Sequence, residues 1–134
     1  MVDVRLQSEL VVETEDRVGL LAEVSRLLGD MGISVVSVVV QRAGGSASLH
    51  LVTSCQSHAA EALRDAGFAV EERDVILMEI PNHPGFLGRM SEALARKDIT
   101  IEELYATVSE DCRSRVVIFR CSDNGNAVLW LRGR

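Results

Sequence analysis

Aromatic side chains are scarce: the chain of 134 residues has one Trp, one Tyr and three Phe. They are Phe68, Phe86, Tyr105, Phe119 and Trp130, and Trp130 is expected in a core or an interface rather than as a stacking platform. Positive charge is also short. The net charge is −6, with no basic stripe, which argues against a nucleic-acid surface. No apolar run approaches the ~20 residues of a membrane span. The opening MVDVRLQSEL lacks a basic region followed by an apolar one, so no secretory signal is expected. Three cysteines, Cys55, Cys112 and Cys121, are an odd number and do not make a disulfide framework, so a reducing cytoplasm is the expected setting. There is no glycine-rich phosphate loop, no nucleophile elbow and no pair of residues at catalytic spacing, so no enzymatic activity is expected. Histidines number three: His50, His58 and His83. Cys55 and His58 form a C-x-x-H pair, half of the usual four-ligand zinc set, so neither a metal nor a cofactor is expected.

What the sequence does have is a repeat. The stretch TEDRVGLLAEVSRLLGDMG (14–32) returns as IPNHPGFLGRMSEALARKD (80–98), with Gly19 and Gly85 separated by 66 positions. The same offset pairs Val24 with Met90, Leu28 with Leu94 and Ser34 with Thr100. Continued without a gap, it pairs Cys55 with Cys121 and Leu63 with Leu129. A tandem duplication follows, of residues 1–73 and 74–134. Each half is near the size at which a domain is marginal alone, so a shared interface or an oligomer is expected.

Hydrophobic periodicity sets the elements. Val2, Val4 and Leu6 alternate with polar residues as a strand over 2–7, and 9–14 is a second strand. Leu20, Leu21, Val24, Leu27, Leu28 and Met31 recur at helical spacing, which predicts a helix over about 18–31, with Glu15 and Asp16 placed to cap it. Valine-rich 33–41, a turn at Gly44-Gly45, a strand over 47–53, a helix over about 58–66 and a strand over 68–73 complete the first half. The second half repeats the order with strand 75–80, helix 85–97, strand 99–108, a polar turn 109–113, strand 114–120 and a short helix around Ala127–Leu131. The fold class is therefore α+β: two tandem ferredoxin-like βαββαβ units, each an antiparallel sheet with its helices on one face. The second unit lacks a C-terminal strand of its own. Subtracting the offset from 69–73 gives residues 3–7, so the N-terminal segment is expected either to fill that slot, in its own or a partner chain, or merely to lengthen the first strand.

The two loop–helix junctions, Glu-Asp-Arg-Val-Gly-Leu-Leu (15–21) and Pro-Asn-His-Pro-Gly-Phe-Leu (81–87), resemble the signature of the ACT domain. Gly32-Ile33-Ser34 and Asp98-Ile99-Thr100 resemble that family's entry into its second strand. The likeness spans nearly the whole chain and is to small proteins made of two ACT domains. It implies a regulatory, allosteric role: a sensor, without catalysis, that binds a free amino acid at an ACT–ACT interface and works as a homodimer with a metabolic enzyme as partner. Carried over by position, the ligand-binding residues are Asp16, Arg17, Val18, Gly19, Leu20 and Ser34 in the first half, and Asn82, His83, Pro84, Gly85, Phe86 and Thr100 in the second. Val18 departs from the proline common at that place. The physics agrees, since N–H groups at a helix start hold a carboxylate, and Asp16 can take the ammonium. The alternative from another class is an interaction subunit that regulates an amino-acid biosynthetic enzyme and has no ligand of its own.

Overall fold

A computed structural model describes residues 3–81, 83–108 and 113–132. The expected turn 109–113 therefore lies largely outside the described residues, as do Cys112 and Asn82. Six strands and four helices run in the order β1 (Asp3–Glu15), α1 (Leu20–Asp30), β2 (Val35–Ala43), β3 (Ser46–Thr53), α2 (Gln56–Asp65), β4 (Ala69–Pro81), α3 (Phe86–Arg96), β5 (Ile101–Val108), β6 (Ser114–Cys121) and α4 (Asn124–Arg132). The sheet order is β2-β3-β1-β4-β6-β5. Two places differ from the sequence reading. Segments 2–7 and 9–14 are one continuous strand from Asp3, and 68–73 and 75–80 are one strand from Ala69. Neither Ser8 nor Asp74 brings the glycine or proline that would break an extended backbone.

Contacts group the chain into two units, Ser8–Arg73 and Met1–Gln7 with Asp74–Arg134. In Ser8–Arg73, Leu10 and Val12 of β1 and Leu49 and Leu51 of β3 alternate onto one face. Against them pack Leu20, Val24 and Leu28 of α1, spaced i, i+4, i+8, and Ala59, Ala60 and Leu63 of α2. In the other unit the corresponding cluster is Ile76, Met78, Val117 and Phe119 from strands with Met90, Leu94, Ala127, Val128 and Leu131 from helices. Val4 joins this second cluster and is 3% exposed.

Polar contacts repeat as faithfully as the cores, and they correct the register. Early positions hold the offset of 66: the Ser34 and Thr100 N–H groups each donate to a serine hydroxyl at 3.0 Å. The acceptors are Ser54 and Ser122, however, 68 positions apart. After the hairpin the shift of 68 persists. Gln56 accepts from the Thr53 N–H at 2.8 Å and donates to the Ser8 carbonyl, while Asn124 accepts from the Cys121 N–H at 2.8 Å and donates to the Asp74 carbonyl. The strand ladders agree, with Val38 opposite Leu51 and Leu104 opposite Phe119. The second hairpin is thus two residues longer than the first. Cys121 corresponds to Thr53 rather than Cys55, and Leu63 corresponds to Leu131. Burial bears this out: Leu63 and Leu131 are buried, whereas Leu129 is 69% exposed.

One more pair follows the corrected register. Arg64 donates to the Val70 carbonyl at 3.0 Å. Arg132, 68 positions later, donates to the Val4 carbonyl at 3.0 Å, and Val4 stands 66 positions before Val70.

Candidate functional site

The corner between β1 and α1 is built by a glycine. Gly19 is the N-cap of α1 with φ 87° and ψ 5°, and no side chain caps the helix. A left-handed backbone of this kind is one that a side-chain-bearing residue adopts only under strain. Its carbonyl accepts from the Glu23 N–H at 2.9 Å. The N–H groups of the first turn, Gly19, Leu21 and Ala22, lie upstream of any intrahelical acceptor and carry the positive end of the helix dipole.

Asp16 does not cap the helix, contrary to the sequence reading. One of its carboxylate oxygens, Oδ2, accepts from both Nε and Nη2 of Arg42, each at 2.7 Å. The side chain of Asp16 is 22% exposed and that of Arg42 is 73% exposed. The hairpin brings the two together: the Asp16 N–H donates to the Gly45 carbonyl at 3.0 Å, which holds the end of β2 over the corner. Arg17 pairs with Glu23 and lies 5.9 Å from the Phe68 ring centroid.

These elements enclose a pocket of about 460 Å³. Asp16, Arg17, Val18, Gly19 and Leu20 all line it, so five of the residues named from sequence meet at one place. Its remaining walls were missed: Leu21 and Ala22 of α1, Val40 and Arg42 of β2, Ala47 and Leu49 of β3. Arg42 was legible in principle, since it is the last charged residue before the Gly44-Gly45 turn and that turn must pack beside the end of β1. Ser34 is not part of the pocket. It lies beyond the far end of α1, whose 11 residues span roughly 16 Å at about 1.5 Å per residue.

The second corner has the same backbone and a different lining. Gly85 caps α3 with φ 85° and ψ −9°, and its carbonyl accepts from the Arg89 N–H at 3.0 Å. His83, Pro84 and Gly85 border a cleft of about 370 Å³ with Leu87, Gly88 and Arg115. Phe86 stands beside it, edge-on to His83 at 6.2 Å between centroids, with Arg89 at 5.7 Å from its ring. No carboxylate is among these described lining residues, and Thr100 lies past the other end of α3 as Ser34 does for α1. Asn82 is outside the described residues.

Elsewhere in Ser8–Arg73 a polar pair is buried. His50 Nδ1 lies 3.1 Å from Glu9 Oε1, and their side chains are 7% and 0% exposed. His50 was expected mid-strand, but its partner was not foreseen, because Glu9 alternates away from the helix-facing Leu10 and Val12. Cys121 is also buried; desolvation, then the charges of Glu102 and Asp123, push its thiol up to about 11. No described helix is long and apolar enough to cross a membrane.

The sequence model of the ACT domain family matches residues 8–66. Comparison with curated proteins finds no match. Among solved structures the chain is similar to protein BT0572 from Bacteroides thetaiotaomicron, with a TM-score of 0.90, 25% identity, and 97% of this chain and 89% of that chain covered. It is similar also to the ligand-free regulatory subunit of aspartate kinase from Thermus thermophilus, with a TM-score of 0.70, 20% identity, and 98% and 95% covered. The regulatory subunit of aspartate kinase from Thermus flavus gives a TM-score of 0.63 at 19% identity, with 98% and 95% covered.

Proposed function

Because the chain carries an ACT domain at residues 8–66, we propose that it is a regulatory protein that binds a free amino acid at the β1–α1 corner of that domain. The observation that carries this reading is the pocket of about 460 Å³ in which a helix N-terminus faces a charge pair, Asp16 with Arg42. A free amino acid presents a carboxylate and an ammonium a few bonds apart. Its carboxylate suits the first-turn N–H groups and the Arg42 guanidinium. Its ammonium suits the Asp16 carboxylate. The zwitterion replaces one salt bridge by two. Leu20, Leu21, Val40 and Leu49 supply the apolar wall for a side chain. The second corner has no described carboxylate for an ammonium, which makes the first corner the principal site.

The architecture proposed is two ferredoxin-like units, with residues 3–7 serving as the closing strand of the second. The Arg132–Val4 contact beside Arg64–Val70 supports it. The site works at an interface with another copy of the chain. Val36, Val38 and Val40 of edge strand β2 are 60%, 40% and 45% exposed, an apolar edge next to the pocket of the kind that a partner strand covers. A ligand bound there shifts a conformational or assembly equilibrium to the extent that it prefers one state. The likeness to regulatory subunits of aspartate kinase supports regulation of an amino-acid enzyme as the output. The same valine edge favours the second reading, an interaction subunit without a ligand.

A thermal-shift screen of free amino acids separates the two. A concentration-dependent rise is expected for one or a few of them, by mass action on the native state, and it should vanish with the matching amine or the matching oxo acid. No rise with any amino acid leaves the interaction subunit.

A further inference from the structure

The duplicated units carry quasi-equivalent grooves between their paired helices, and the two are finished differently. In Asp74–Arg134 the groove is lined by Lys97, Ile99, Leu129 and Trp130 among others. Trp130 packs against the core cluster, and the Lys97 ammonium sits 3.9 Å from the centroid of its ring, a cation–π contact. In Ser8–Arg73 the groove is about 480 Å³ and is lined by Leu27, Met31, His58, Glu61, Ala62 and Asp65 among others. By the corrected register Met31 stands where the other unit has Lys97, Ala62 where it has Trp130, and Glu61 where it has Leu129. The first groove therefore lacks the indole and the ammonium that its counterpart supplies from within. It has an apolar floor of Leu27, Met31 and Ala62 with Glu61 and Asp65 on the rim and no ammonium among its described lining residues, where the other groove sets Lys97 near Asp98 and Asp123.

We propose that this groove between α1 and α2 docks a basic segment of a partner protein, with one aromatic side chain over Leu27, Met31 and Ala62 and flanking lysines or arginines facing Glu61 and Asp65. Charge complementarity selects that occupant: a rim carrying Glu61 and Asp65 attracts cations, and in a chain of net charge −6 it repels the same face of a second copy. The internal counterpart shows the chemistry the groove accepts, an aromatic ring with a cation beside it. The surface is distinct from the amino-acid pocket, which Leu27, Met31 and Glu61 do not line.

The test is fluorescence anisotropy of a labelled peptide Lys-Lys-Trp-Leu-Lys-Lys titrated with the full chain. Saturable binding is expected. The exposed-site variant Glu61→Lys/Asp65→Lys, checked for native circular dichroism, should weaken it by about tenfold or more, as loss of anchoring contacts does. Met31→Lys/Ala62→Trp, which builds the second unit's own pair in the first, should abolish it. Peptides Glu-Glu-Trp-Leu-Glu-Glu and Lys-Lys-Gly-Ser-Lys-Lys should not bind. The proposal is overturned if the lysine–tryptophan peptide does not bind, if Glu61→Lys/Asp65→Lys leaves its affinity unchanged, or if the tryptophan-free peptide binds equally well. It is overturned too if sedimentation shows a dimer that Glu61→Lys/Asp65→Lys dissociates, which would make the occupant a second copy.

Discussion

Replacing Val4 by alanine tests the structural role of the N-terminal segment. Val4 is 3% exposed and belongs to a cluster with Ile76, Met78, Leu94, Phe119 and Leu131, all far from it in sequence. The substitution removes the equivalent of two methylene groups, worth about 0.8 kcal/mol each when buried. A cavity contribution follows at roughly 24 cal/mol per Å³ of space that does not collapse. Because the site lies near a chain terminus, partial collapse is expected, and the whole loss should be about 2 kcal/mol. With a urea slope near 1–2 kcal/mol per M for a small protein, the midpoint should fall by about 1–2 M. Hydrogen exchange should locate the loss in residues 74–81 and 115–131. Leu6→Ala is the control, since Leu6 is 50% exposed and should cost less than about 0.5 kcal/mol. A Val4→Ala protein as stable as the parent, or one whose new exchange is confined to 20–65, would refute the placement of Val4 in this core.

Three further expectations follow from particular residues. Asp98 has φ 57° at the end of α3, where α1 has Gly32 with φ 73°, so Asp98→Gly should stabilise the protein by roughly 0.5–1 kcal/mol through relief of left-handed strain, read as a higher urea midpoint. The buried Cys121 thiol, raised to about 11, should resist alkylation in the native protein at pH 8 and react on unfolding. Because its folded value lies above the unfolded one, the stability it contributes is intact below about pH 9 and declines as the pH rises toward 11; a denaturation series between pH 8 and 11 with no decline that Cys121→Ser removes would contradict this. Arg132→Ala should cost about 1 kcal/mol, the net worth of the hydrogen bond to Val4, and Arg64→Ala a similar amount through Val70, both measured by urea unfolding.

Helices were legible in the sequence because each buries one stripe: Leu20, Val24 and Leu28 could face only one way. The two corners were legible because Gly19 and Gly85 recur in the same context. The register after the hairpins was not. Valine and alternating residues tolerate a slip of two without moving a side chain to the other face, so an offset of 66 looked intact while the second hairpin had gained two residues. Leu129 and Leu131 both suit a helix, and only packing tells which is inside. The site was half legible for a related reason. Residues adjacent in the chain, Asp16 through Leu20, were found together, but Arg42 reaches Asp16 through strand pairing, which the local pattern does not express. Ser34 was grouped with them by resemblance, although the length of α1 separates them within the unit.

The most direct test is calorimetric titration of the full chain with the amino acid that raises its melting temperature most, repeated on Asp16→Asn and Arg42→Ala. Saturable binding is predicted for the parent protein, with stability raised by about 2.7 kcal/mol at a hundredfold excess over Kd, and a loss of at least about tenfold in affinity in each variant, as expected when a charge-assisted contact to the ligand is removed. Absence of binding by every amino acid at millimolar concentration, or unchanged affinity in both variants, would contradict a zwitterion held between Asp16 and Arg42.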